Sequence, residues 1–236
     1  MVDMAQALTT AEPRPARRTG AAADADRLDH LRRLATSDPQ MAQAEAWSWF
    51  IETGRRIQSE RGAALAELAA LFRAGAPSRG INGPTHGALV GFTVHPAFDR
   101  ALAALTTLWL PWAGKRFDIR MGRGENIILR SARVPARVLW PGYSLRNAGS
   151  TLAGFEFVTR IEPSAVDAER DVLVIDYAPV QSNPALIIKQ IRDELVEIVP
   201  GAHLGKMLWR FGRGPHARHY LMAYFALKSA LPAGEV

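Results

Sequence analysis

The chain has 236 residues, 48% of them hydrophobic and 22% charged, which at roughly 150 residues per domain suits one large domain or one domain with an appendage. It contains no cysteine, which excludes disulfides, iron–sulfur clusters, thiolate zinc sites and a cysteine nucleophile. The net charge of +6 is unevenly placed: residues 76–160 hold eleven basic and four acidic side chains, a band able to attract phosphates, anionic lipid or an anionic substrate.

In chain order, residues 1–26 mix Ala, Thr, Pro and Arg with few large apolar side chains. They are expected to form a disordered tail, because too little surface can be buried to offset the entropy of ordering. They also lack the apolar core of a signal peptide. A helical segment is expected over 27–76. Leu28, Leu31 and Leu34 recur at three-residue spacing, and Ser37-Asp38-Pro39 supplies a cap followed by proline near the first helical position. An apolar stripe then runs from Met41 to Phe72. Gly54 and Gly62 leave open whether it is one long helix or two shorter ones.

Beyond residue 77, Gly and Pro punctuate short runs of β-branched and aromatic residues. Candidate strands are 87–94, 114–121, 125–133, 136–143, 152–162, 170–178, 202–211 and 218–228. A helix is expected at 97–107, and a short helix at 184–191 leading into a strand at 192–199. Alternation is clear in Phe117/Ile119/Met121 and in Val172/Val174. Eight or nine short strands without βαβ alternation argue for antiparallel pairing. A sheet that long curls, and closure removes its edges. The fold class is therefore mainly β with an N-terminal helical segment, an antiparallel up-and-down β-barrel over 77–236. Such a barrel leaves an interior just wide enough for side chains or one small ligand.

Asp176-Tyr177, Asn183-Pro184, the stretch IRDELVEIVPGAHLGKMLWR at 191–210 and YFAL at 224–227 resemble a group of bacterial lipocalin-like (calycin) barrel proteins with no agreed chemistry. Trp112 to Phe117 and Leu139 to Tyr143 fit the same likeness, which covers about residues 85–228 and omits the helices. The resemblance implies an internal cavity for a small, mostly apolar molecule. It brings no catalytic residues with it.

Asp176 lies inside the apolar run VLVIDYA, where an ionised carboxylate costs several kcal/mol unless paired. Lys115, Lys206 and Arg210 are its natural partners. It is either a cavity acid or half of a structural ion pair. Asp176, Tyr177, His203 and Lys206 are the candidates for proton transfer. Asp193 and Glu194 are adjacent, so on a strand only one can enter the lumen; Glu194 is assigned here to the ligand. Lys115, Trp112, Trp140, Tyr143, Trp209, Arg210 and Tyr224 complete the expected ligand lining, with ordinary core packing as the competing explanation for each aromatic.

No three or four metal ligands converge by spacing, and there is no Walker loop, nucleophile elbow or dinucleotide fingerprint. No metal and no cofactor are expected. The basic residues form no contiguous stripe, so nucleic acid is not an expected partner. No apolar run reaches about 18 residues, so no transmembrane segment is expected, and the expected address is cytoplasmic. A second copy docking through the helical segment, giving a homodimer, is the expected protein partner. The expected function is binding of a small hydrophobic molecule, anionic or aromatic, in the barrel cavity. The alternative is a lyase, isomerase or cyclase that uses a buried carboxylate for proton transfer.

Overall fold

The structure, a computed structural model, describes residues 20–93, 111–212 and 217–231. Helix α1 (Gly20–Ser37) begins six residues before the expected end of the tail at residue 26. Its first turns are alanine-rich, and alanine favours the helix without needing a large side chain to bury. In α2 (Pro39–Arg56) the Asp38 carboxylate accepts the Met41 N–H at 2.9 Å, with Pro39 in the first turn. The stripe then breaks at 57–60, so α2 and α3 (Arg61–Ala74) are two helices. Glu67 ties them together. It accepts from Trp49 Nε1 at 2.6 Å and Thr53 Oγ1 at 2.9 Å, and it pairs with Arg56.

Eleven strands follow: β1 (Ala76–Pro77), β2 (Gly83–Pro84), β3 (His86–Phe92), β4 (Trp112–Asp118), β5 (Arg123–Ile128), β6 (Arg146–Ala148), β7 (Thr151–Pro163), β8 (Asp171–Asp176), β9 (Ile191–Val199), β10 (Ala202–Phe211) and β11 (Arg218–Lys228). They form one antiparallel sheet in the order β2-β4-β5-β7-β8-β9-β10-β11-β3, with β1 beside β9 and β6 beside β7. The segment 83–92 joins the two edges. Gly83 and Pro84 pair with Phe117 and Arg116, Thr85 N donates to Lys115 O at 2.8 Å, and His86 to Phe92 pair along β11. The seam demands glycine at Gly114, where φ is +147° and a Cβ would lie 2.1 Å from the Thr85 carbonyl oxygen. The result is an up-and-down, lipocalin-like barrel with helices outside it.

Two expected elements differ. The strand expected at 136–143 is helix α4 (Arg133–Leu139), in which Val134 and Val138 face solvent while Ala136 and then Trp140 are buried. Its short apolar run mimicked a strand, but the burial follows helical spacing. The helix expected at 184–191 is reduced to a short 3-10 turn at 188–190, and β9 starts at Ile191. Asn183 caps no helix: its Oδ1 is buried with no hydrogen-bond partner among the described residues, while its amide nitrogen donates to the carbonyls of Glu156 at 2.6 Å and Tyr177 at 3.0 Å. The helix expected at 97–107 lies outside the described residues.

Strand alternation divides the core in two. Val172, Val174, Val196, Ile198 and Leu204 point outward and bury Trp49, Phe50, Leu68 and Phe72 of the helices. Leu173, Ile175, Leu195, Met207, Phe117, Phe157 and Phe225 point inward. The inner rings find room over glycines on the neighbouring strand. A Cβ on Gly205 would lie 2.2 Å from the Phe225 ring, and one on Gly124 would lie 2.3 Å from Phe157. This large-on-small pairing fits bulky rings into a narrow barrel.

Candidate functional site

Among the described residues, the barrel interior holds one charged cluster. Lys115 of β4 and Asp193 of β9 are fully buried and form an ion pair at 2.8 Å. Lys115 also donates to Asn126 Oδ1 at 3.0 Å and to the Tyr177 hydroxyl, so its three N–H groups are all engaged. The Tyr177 hydroxyl donates to the same Asp193 oxygen at 3.0 Å. Asn126 accepts from Trp112 Nε1 at 3.0 Å and donates to the Phe155 carbonyl at 3.1 Å. Rings of Trp112, Phe157, Tyr177 and Phe225 surround the ammonium at 5.2–5.5 Å, an arrangement that stabilises a desolvated cation.

One atom stands apart. Asp193 Oδ1 is buried and has no hydrogen-bond partner among the described residues. The spare capacity of the cluster is therefore an acceptor. Burial pushes the Lys115 ammonium towards its neutral form, opposed by Asp193. Burial, with the Asp193 charge beside it, raises the Tyr177 phenol well above its usual range, so the phenol stays protonated as a donor.

A cavity of about 40 Å³ adjoins the cluster, with Asn126 and Tyr177 as its polar wall and Trp112, Ile128, Phe155, Ile188 and Ile191 around it. That is room for one or two waters. The mouth above it is covered by α4 and the segment 177–190. Trp140 donates from Nε1 to the Leu186 carbonyl at 3.2 Å and sits edge-on to Phe155, while Tyr143 stacks on the same ring at 5.0 Å. Two non-glycine residues have positive φ here, Ile187 of the cover at 73° and Phe155 of the β7 wall beneath it at 49°. At Ile187 the chain makes a tight γ-turn, closed by Ile188 N to Leu186 O at 2.9 Å. A β-branched residue there is strained, and such strain gathers at sites that must move or bind.

The expected site residues are dispersed. Tyr177, Lys115 and Trp112 meet in the lumen, and Trp140 and Tyr143 close the mouth. Trp209 is half-buried against the inner core. Asp176 is on the outer wall, bonded to Arg160 at 3.1 Å, Arg210 at 3.2 Å and Ala178 N at 3.0 Å. Burial raises its pKa, but the Ala178 N–H and the two guanidiniums outweigh that and hold the carboxyl below its usual range. Glu194 also faces outward, to Arg192 at 3.0 Å and Ser164 at 2.6 Å. Lys206 pairs with Asp167 over the Phe72 ring of α3, and Tyr224 packs under the helices.

His203 lies at the end of the barrel away from the mouth. It sits between Ser78 Oγ at 2.9 Å and Ser229 Oγ at 3.0 Å, with its pKa lowered to about 3 by burial. The four proton-transfer candidates thus occupy three separate places, and Glu194 and Arg210 do not line the lumen. Alternation is the reason: Tyr177 points in where Asp176 points out, and Asp193 in where Arg192 and Glu194 point out. The residues missed are Asn126 and Phe155, and Asp193 was passed over for its neighbour. The one available signal was parity, since Leu173, Ile175 and Tyr177 share a face. Comparison with protein-family models, curated proteins and solved structures finds no match to this chain.

Proposed function

We propose that the barrel binds one small, mostly apolar molecule whose polar end is a hydrogen-bond donor such as a hydroxyl. The observation that carries this is the sealed Lys115–Asp193–Tyr177–Asn126 cluster, whose Asn126 and Tyr177 wall a cavity and whose one spare buried atom, Asp193 Oδ1 set back from that wall, is an acceptor. A fully apolar lumen would be the cheaper core, because a buried ion pair rarely stabilises more than packed hydrophobic side chains. The Lys115 charge is already answered by Asp193, which favours a neutral polar end over an anionic one. The cavity admits no more than waters as it stands, so a ligand enters by displacing the strained cover at Trp140 and Leu186–Ile188.

Titration of intrinsic tryptophan fluorescence with naphthol and with naphthoate tests this. The expected result is saturable binding of naphthol, weaker binding of naphthoate, and loss of both in Ile128→Trp, which fills the cavity. If neither probe binds, or if a folded Ile128→Trp binds both unchanged, the lumen is a packed core and the reading fails. The Tyr177 hydroxyl, held between Lys115 and Asp193, supports a second reading, proton transfer on the bound molecule. In that case, for a molecule identified by native mass spectrometry of the purified chain, Tyr177→Phe keeps the affinity and loses the turnover; equal turnover would remove this second reading.

A further inference from the structure

The two ends of the barrel differ in charge and in what they expose. The connections covering the mouth, residues 129–150 and 177–190, contain Arg130, Arg133, Arg137, Arg146 and Lys189 and no acidic residue. Arg146 is answered by Glu125 and Glu156. Among the described residues the others bond only to neutral oxygens where they bond at all: Arg130 to the Gly149 carbonyl at 2.7 Å, Arg133 to the Asn147 side chain at 2.5 Å, Lys189 to the Gln181 carbonyl at 3.2 Å. The connections at the opposite end, 78–82, 119–122 and 164–170, hold Arg79, Arg120 and Arg170 with Asp167 and Glu169, a nearly balanced set.

Apolar exposure follows the same polarity. Of nine large apolar side chains exposed among the described residues, six are at the mouth: Leu129, Val134, Val138, Leu186, Phe211 and Tyr220. Val134 and Val138, one helical turn apart on α4, are 71% and 76% exposed. The same end thus carries uncompensated cations and a rim of protruding apolar groups, which together match an anionic lipid surface.

We infer that the mouth docks on an anionic bilayer, with α4 lying against the headgroups, its arginines among the phosphates and Val134, Val138 and Leu186 at the acyl boundary. Scattered surface hydrophobics need no explanation, but six at one end do, and the absence of any acid in both covering segments selects the partner's sign. The opening to the lumen then faces the lipid phase. The inference does not depend on the barrel holding a ligand.

The test is co-sedimentation of the full chain with vesicles of phosphatidylcholine alone and of equal parts phosphatidylcholine and phosphatidylglycerol, in low and in high salt. Sedimentation is expected only with the anionic vesicles and falls as salt rises. Each basic side chain near such a surface contributes about 1 kcal/mol, about fivefold in partitioning. Arg133→Gln/Arg137→Gln is therefore expected to reduce binding more than tenfold, and Val134→Ser/Val138→Ser to reduce it at every salt concentration. The matched control, Arg33→Gln/Arg55→Gln on the exposed helical side, should bind as the natural chain does. No sedimentation with anionic vesicles overturns the inference, and so does an equal loss in the control, which would reduce it to net charge. If Val134→Ser/Val138→Ser instead turns a dimer into a monomer in analytical ultracentrifugation, the rim is a contact between copies and the bilayer reading is wrong.

Discussion

The inner and outer faces of the same strands carry the same residue types and put them to different use. Inside, Lys115 and Asp193 are fully buried, and the ion pair shares its hydrogen bonds with Tyr177 and Asn126. Outside, Arg160, Asp176, Arg192, Glu194 and Arg210 run across β7, β8, β9 and β10, with Arg160 40% and Arg210 19% exposed. A buried pair is coupled to the whole core, because either charge alone would be stranded in apolar surroundings. In the outer network Arg160 and Arg210 reach solvent and are screened there, and the buried Asp176, Arg192 and Glu194 beneath them each keep more than one partner, so losing one leaves another in place. Position relative to the wall decides the energetics.

The largest effect that would sharpen this contrast is removal of one inner partner. Lys115→Met strands Asp193 and should cost about 3–5 kcal/mol in denaturant unfolding. Lys115→Met/Asp193→Leu should recover most of that loss, since neither charge remains to be desolvated. On the outer wall Arg210→Met should cost about 1 kcal/mol or less. If Lys115→Met costs no more than Arg210→Met, the inner pair is reached by water and the distinction between the faces collapses.

The barrel was legible because period-two patterning survives where one face is exposed, as at Arg116, Phe117 and Asp118 of β4, and because short apolar runs such as β8 are bounded by turn residues. The helical start of α2 was legible from Asp38-Pro39, a local signal with a local cause. What was not legible was facing. Asp176 in an apolar run looks internal, but that run is buried on both sides, by helices outside and by rings inside, so apolar neighbours carry no information on direction. Only register against β7 and β9 fixes it, and register is a property of the assembled sheet. α4 was misread for a related reason: ARVLW is a short apolar run ending in an aromatic residue, with too few residues to show a helical period. Ser78, the buried partner of His203, stands 125 residues away from it in the chain, beyond the reach of any local pattern.

His203 extends the contrast to a third buried group, one kept neutral. Its folded pKa of about 3 lies below the ordinary histidine value of 6.5. The unfolded chain therefore takes up the proton first, and stability falls as pH drops below 6.5 and continues to fall towards pH 3. With those two values the loss is about 2 kcal/mol by pH 5. Chemical denaturation across this range should show the slope in the natural chain and a shallower one in His203→Gln. An unchanged slope in the variant would mean that the acid sensitivity belongs to another group.

The smallest expected effect is at Asp176, and salt gives it its meaning. Its folded pKa is held below the ordinary carboxylate value, so its contribution is present at neutral pH and is lost as pH falls through the folded pKa. Asp176→Asn keeps the side chain's shape and an oxygen able to accept from Ala178 N, and removes only the charge facing Arg160 and Arg210. The expected cost at neutral pH is about 1 kcal/mol, measured as a shift in the denaturation midpoint. Because both arginines reach solvent, that cost should shrink in high salt, while the cost of Lys115→Met should hold, its pair being out of reach of the ions that screen the outer wall. A salt-independent Asp176→Asn would show the outer network to be as dry as the lumen. The two faces would then differ in sign pattern alone.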